Sequence, residues 1–234
     1  MAQDLRPEEA AVSELADLRP GDLGFGPIHG GAGLLVSAGQ LLLGEGFRVG
    51  DLDIRHVFVV VESLLTTGPA MKVVEAMPGG AREAWVGADR WTDQYAYIRL
   101  PEDYPGQADD ATAIARAMIG TPYSFASYAA LAAWRLGMKT PKLERWIDRR
   151  RNDGLGIQDP EVRARIIANY KQQGIGAAVG LPREAICSVL ADQAWSLTGK
   201  KIMEGVAHQC VTPGALAGRL LAMDGAHWMW PGRG

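Results

Sequence analysis

The sequence predicts an α+β protein, with an antiparallel sheet or small barrel formed first and helices after it. Three observations predict this. Up to residue 100, short apolar runs rich in valine alternate with Gly, Pro and Asp turn residues, which is strand punctuation. The composition then changes at Pro101-Glu102-Asp103-Tyr104-Pro105-Gly106. From Asp109 the apolar period is helical, with Ala111, Ile114, Ala115 and Met118 on one face.

Residues 1–17 read as a polar N-terminal arm. Leu18-Arg19-Pro20-Gly21-Asp22-Leu23-Gly24-Phe25 reads as a turn followed by a short strand, in which Leu23 and Phe25 alternate with small residues. Gly24, Gly26, Gly30, Gly31 and Gly33 miss the G-x-G-x-x-G spacing, and no βαβ unit follows. That stretch is a loop before a helix at 34–43. Residues 55–62 are the clearest strand, and their continuous apolar run predicts burial on both faces. Met71-Lys72-Val73-Val74-Glu75-Ala76 gives the next strand, which Pro78-Gly79-Gly80 ends in a turn. Residues 84–86 and 95–100 give two more, with a polar 89–93 segment between them.

Gly120-Thr121-Pro122 ends the helix that begins at Asp109, and another starts at Tyr123. Residues 141–173 are charge-rich and helical, a pattern that solvated faces ordinarily carry. A glycine-rich loop, 174–180, leads to Ile186-Cys187-Ser188. The helix there is expected to start near Ile186 and end before Gly199, burying Leu190, Ala194 and Leu197. Pro182 is a competing helix start. The chain thus divides into an arm (1–17), a main domain (18–218) with a helical insertion (137–180), and a Trp-rich tail (219–234). The tail is expected to pack on the domain or a partner.

Bulk properties exclude several classes. A chain of 234 residues, 47% hydrophobic and 22% charged, has ordinary globular composition. A net charge of −3 speaks against nucleic acid as a partner. Two cysteines, Cys187 and Cys210, make no disulfide framework. His208 with Cys210 is a lone pair at metal spacing, so neither a metal nor another cofactor is expected. His29 lies in the glycine loop and His227 in the tail. The start of the chain is not a basic-then-apolar signal, and no apolar run approaches the ~20 residues that span a bilayer. The expected location is therefore cytoplasmic, or wherever a phage or secretion assembly delivers the chain.

The chemistry centres on Cys187 and His56. A free thiol has a pKa of about 8.5, and a helix N-terminus or a neighbouring imidazolium favours its anion. Cys187 stands where a helix opens, and His56 at the mouth of a strand. Each residue also has an ordinary structural role open to it, a buried small apolar group or a hydrogen-bonded core histidine. A nucleophile's base needs a third group to hold its tautomer. Glu75, in the middle of an apolar strand, is the first candidate. Glu62 is the reserve, on the same face as His56 by strand parity but roughly 20 Å along.

Taken together these segments resemble a known family. Gly120-Thr121-Pro122-Tyr123 and Ile186-Cys187-Ser188 are similar to the G-x-P-Y and C-S segments of NlpC-type cysteine peptidases. Pro20-Gly21-Asp22-Leu23-Gly24-Phe25 resembles their P-G-D-L-x-F strand, and His56-Val57-Phe58-Val59 their H-V-G-I strand. Strands precede the cysteine here, an order that resembles the circularly permuted branch, the YiiX-like and lecithin:retinol-acyltransferase-like papain folds. The likeness runs from about residue 20 to Val211-Thr212-Pro213. Phe58 stands where the family has glycine, and 137–180 is inserted between Tyr123 and Cys187.

The resemblance implies a permuted papain-like fold with Cys187 as nucleophile, His56 as base and Glu75 as orienter. Tyr123, Ser188 and Asp22 would then lie near the substrate or the oxyanion. It implies an amide hydrolase acting through an acyl-thioester, on a cell-wall peptide or a related amide. A lipid acyltransferase or thioesterase on the same triad is the enzyme alternative. A papain-like module kept for binding or structure, as in a virion or secretion assembly, is the non-enzymatic one.

Overall fold

A computed structural model of the chain describes residues 18–28, 54–63, 70–87, 90, 94–104, 107–123, 141, 168, 186–198, 202–204, 206 and 211–229. The expected arm, the 34–43 helix, the helix beyond Tyr123 and Pro182 lie outside them. So does the 137–180 insertion, apart from Pro141 and Ala168.

Six strands form one sheet: β1 (Leu23–Gly26), β2 (His56–Ser63), β3 (Met71–Met77), β4 (Gly80–Val86), β5 (Ala96–Arg99) and β6 (His227–Met229). The order is β4-β3-β2-β1-β5-β6, every pair being antiparallel. Three helices accompany it among the described residues: α1 (Ala108–Ala117), α2 (Cys187–Ser196) and α3 (Pro213–Leu221). The protein is therefore α+β, with five strands before the helices and β6 after them, and among the described residues the sheet runs from β4 to β6.

Alternation along the strands separates two apolar clusters. Leu23, Phe25, Val57, Val59, Val74 and Ala76 join the helices in the main core. Phe58, Val60, Met71, Val73 and Tyr97 form a second cluster on the other face. That is why β2 reads as an unbroken apolar run, since Val57 through Val60 are all fully buried. Gly24 and Gly26 lie on the Phe58 side of β1 because rings occupy their places. A Cβ on Gly24 would come within 2.1 Å of Phe58, and one on Gly26 within 2.2 Å of Tyr95.

The β2–β3 register shifts between Val60 and Glu62, leaving Val61 as an extra residue. This bulge corrects the simple parity reading of Glu62. Its carboxylate pairs with Lys72 at 2.8 Å and with Arg116 of α1 at 3.8 Å, on the helix-covered side of the sheet and away from the His56 face.

α1 carries Asp109 and Asp110 in its first turn and Arg116 in its last, matching the helix dipole. It ends at Met118, and Gly120 follows with φ +89°, a conformation that favours glycine. Reciprocal bonds, Ala81 N–H to Thr121 O and Gly120 N–H to Ala81 O, both 2.8 Å, tie this turn to β4. α2 packs against β2, β3 and α1. It is buried all round from Cys187 to Trp195, so the expected Leu190, Ala194 and Leu197 stripe widens to most of the helix, while Leu197 itself is its half-buried C-cap. Two of its polar side chains are satisfied inside: Ser188 Oγ donates to Val211 O (2.7 Å) and Trp195 Nε1 to Gly21 O (3.2 Å).

Thr212 caps α3, its side chain accepting from Ala215 N–H at 3.2 Å, with Pro213 at the first turn. The expected boundary at 218/219 falls inside α3. Part of the Trp-rich tail is integral to the sheet as β6, paired to β5.

Gly24→Ala drives a methyl group into the Phe58 ring. It is expected to destabilise the fold by about 1–3 kcal/mol, read as a lower urea midpoint at unchanged slope.

Candidate active site

α2 begins at Cys187, and Ile186 before it is extended (φ −93°, ψ 166°) and makes no side-chain cap. The N–H groups of the first turn are thus uncapped by that residue, and the positive end of the helix lies at the sulfur. Cys187 is a free thiol, 2% exposed. β2 begins at His56, also buried. The ring stands at the end of its strand, where it meets Glu75 from β3 and Cys187 from α2.

His56 Nε2 lies 2.9 Å from Glu75 Oε2. The carboxylate is fully buried yet has four hydrogen bonds. Oε1 accepts from Arg82 Nε (3.1 Å) and Nη2 (2.8 Å), while Oε2 accepts from His56 and from Arg90 Nη1 (2.8 Å). Burial alone raises the Glu75 pKa, but the hydrogen bonds from His56 and Arg90 and their charges outweigh it and hold the group well below the usual carboxylate range. An ionised carboxylate can only accept, so Nε2 must carry a proton. This fixes the tautomer and leaves Nδ1 for the sulfur.

Nδ1 is buried and makes no well-formed hydrogen bond. Cys187 is nevertheless close enough to act on the ring. Burial alone lowers the His56 pKa, but hydrogen bonding and charge from Cys187, then from Glu75, raise it from 6.5 to about 9.

The structure therefore brings together Cys187, His56 and Glu75. Asp22 is engaged elsewhere: Arg99 grips it through Nε (2.9 Å) and Nη2 (2.8 Å), and Arg19 N–H reaches Oδ2 at 2.8 Å. Ser188 anchors the segment before α3 through Val211 O. Tyr123 packs half-buried against the main core just after the Gly120 turn. His29, His208 and Cys210 lie outside the described residues. Among the described residues no group of three His, Cys, Asp or Glu residues is placed to hold a metal ion, and no helix is long and apolar enough to cross a membrane.

Sequence reasoning missed the two arginines. Arg82 was within reach, because the tight turn at Pro78-Gly79 pairs Met77 with Gly80 and so sets Glu75 opposite Arg82. Arg90 lies in the polar 89–93 segment, where spacing carries no such signal.

Compared with known proteins, the chain matches no family model, no curated protein and no solved structure. The geometry alone carries the functional reading.

Glu75→Ala strips the partner from three residues, the buried His56, the half-buried Arg90 and the exposed Arg82. It is expected to cost about 3–5 kcal/mol in urea unfolding. Stability should also depend on pH in a defined direction. The raised His56 pKa stabilises the fold fully below pH 6.5, and this contribution is lost as pH rises through about 9. The lowered Glu75 pKa stabilises it above pH 4.5, and this is lost as pH falls below that value. The urea midpoint should be highest between these limits, and His56→Gln should flatten its alkaline decline.

Proposed function

We propose that this chain is a cysteine-nucleophile amide hydrolase with a circularly permuted papain-like fold. The single observation that supports it most is the ordered arrangement at His56: Nε2 bound to Glu75 at 2.9 Å, with Nδ1 left for the sulfur that opens α2. A buried carboxylate orienting an imidazole beside a thiol at a helix N-terminus is the arrangement a thiol nucleophile requires. The antiparallel sheet followed by the Cys187 helix agrees with the permuted order of the NlpC-type resemblance.

In this reading the Cys187 thiolate attacks the amide carbonyl carbon, forming the S–C bond and placing negative charge on the carbonyl oxygen. N–H groups at the start of α2 hold that oxyanion. His56 then gives its Nδ1 proton to the amide nitrogen as the C–N bond breaks, releasing an amine and leaving an acyl-thioester. Water adds to the thioester while Nδ1 takes its proton. The carboxylic acid departs and the thiolate is restored. Glu75 stays ionised throughout and holds Nε2–H.

The substrate is proposed to be a small peptide amide such as a cell-wall peptide. A second reading, transfer or hydrolysis of a lipid acyl group, is favoured by one observation. Cys187 sits within the main apolar cluster, which suits an aliphatic acyl chain. The near-complete burial of the sulfur suits a narrow acyl group reaching it as the covering residues part.

The test is incubation with muropeptides and, separately, with phospholipids, followed by mass spectrometry. Product is expected from the first set, and product from phospholipids alone would transfer the assignment to the lipid reading. Cys187→Ala should abolish product, and His56→Ala should lower kcat/KM by about 10²–10⁴-fold. The kcat/KM profile should fall as pH rises through about 9, because His56 then lacks the proton that the leaving amine needs. A Cys187 inert to iodoacetamide until the protein unfolds, together with no product, would overturn the enzyme reading in favour of a binding module.

A further inference from the structure

The two arginines reach Glu75 differently. Arg82 binds Oε1, the oxygen that His56 does not use, and its side chain is 56% exposed. Arg90 binds Oε2, the oxygen that His56 does use, and its side chain is 15% exposed. Arg90 is also held on three other sides. Its guanidinium lies 5.2 Å from the centre of the Phe58 ring, its N–H donates to Gly87 O at 3.1 Å, and its carbonyl accepts from Tyr97 Oη at 2.6 Å. Phe58 and Tyr97 meet edge to face at 6.0 Å, so platform and latch brace each other. Where the resembling family has glycine, this chain has the ring on which Arg90 rests.

We propose that Arg90 is a positioning residue of the Cys187–His56–Glu75 site, fixing the shared carboxylate oxygen and setting by its charge where His56 gives up its proton. The proposal rests on the catalytic reading of that site but is tested without turnover. Among the described residues, the charged and titratable groups around the ring include Glu75 from β3, Arg82 from β4, Arg90 from the β4–β5 connection, Cys187 from α2, and Tyr95 over Gly26, the residue that pairs with His56. A guanidinium on the same oxygen stabilises the carboxylate and repels the imidazolium. Removing it should therefore raise the titration midpoints of Glu75 and His56 together. A brace that only holds the fold would change stability alone. A carboxylate that drifted away on losing its brace would lower the His56 midpoint.

The experiment is an NMR titration of the histidine rings in the full chain, with His56 assigned by its absence from His56→Gln. Arg90→Gln is expected to move the His56 midpoint upward by about one pH unit. Arg90→Lys, which keeps the charge, should return it most of the way, and Arg82→Gln should move it less than Arg90→Gln does. Should Arg90→Gln fail to fold, Phe58→Leu decides in its place: it removes the ring beneath the guanidinium, and the midpoint should again rise. An unmoved or lowered midpoint in a folded variant overturns the proposal. Absence of product from the wild-type chain would instead overturn the hydrolase reading, and the titration would still report on Arg90.

Discussion

The structure around the site depends on one buried negative charge. Glu75 is in the middle of an apolar strand, fully excluded from water, where an unpaired carboxylate would neutralise or unfold the strand. Four donors on three residues keep it ionised. Each comes from a different part of the chain: the start of β2, the strand opposite in the hairpin, and the connection towards β5. Satisfying this one group therefore sets the β2–β3–β4 register and pins the approach to β5. It also dictates which nitrogen of His56 bears the proton.

Much of the fold was legible because its strands are short, valine-rich and separated by turn residues, and because Gly120 marks a helix end by known chemistry. The start of α2 beside Ile186 was legible too, and Cys187 and His56 could be singled out by residue type and position. Three things were not. The bulge at Val61 has no signature in a run of valines, so parity set Glu62 on the wrong face. The tail was expected to pack on the domain or a partner but not as a strand, because three residues, His227-Trp228-Met229, are too short a run to announce one. Arg90 joins the site by tertiary packing from a segment whose composition reads simply as a polar loop.

Asp22 and Ser188 show how motif residues can support a site without standing in it. The Arg99–Asp22 fork joins the segment before β1 to β5, and Ser188 ties α2 to the segment that precedes α3. Both fix the frame in which α2 meets the sheet. Trp195 adds a third tie, from the far end of α2 to Gly21. The helix is thus held along its length by polar contacts inside an apolar setting, which limits how far its first residue can move relative to His56.

The order of the parts along the chain has a consequence for synthesis. Histidine and carboxylate belong to neighbouring strands of one early hairpin region, whereas the sulfur comes from the late helix α2. In a growing chain the strands that carry His56 and Glu75 are made well before α2, and β6 is made later still. The thiol thus meets an imidazole already oriented, through contacts of very large sequence separation that close slowly. On the proposed reading, the site stays incomplete until α2 has been made.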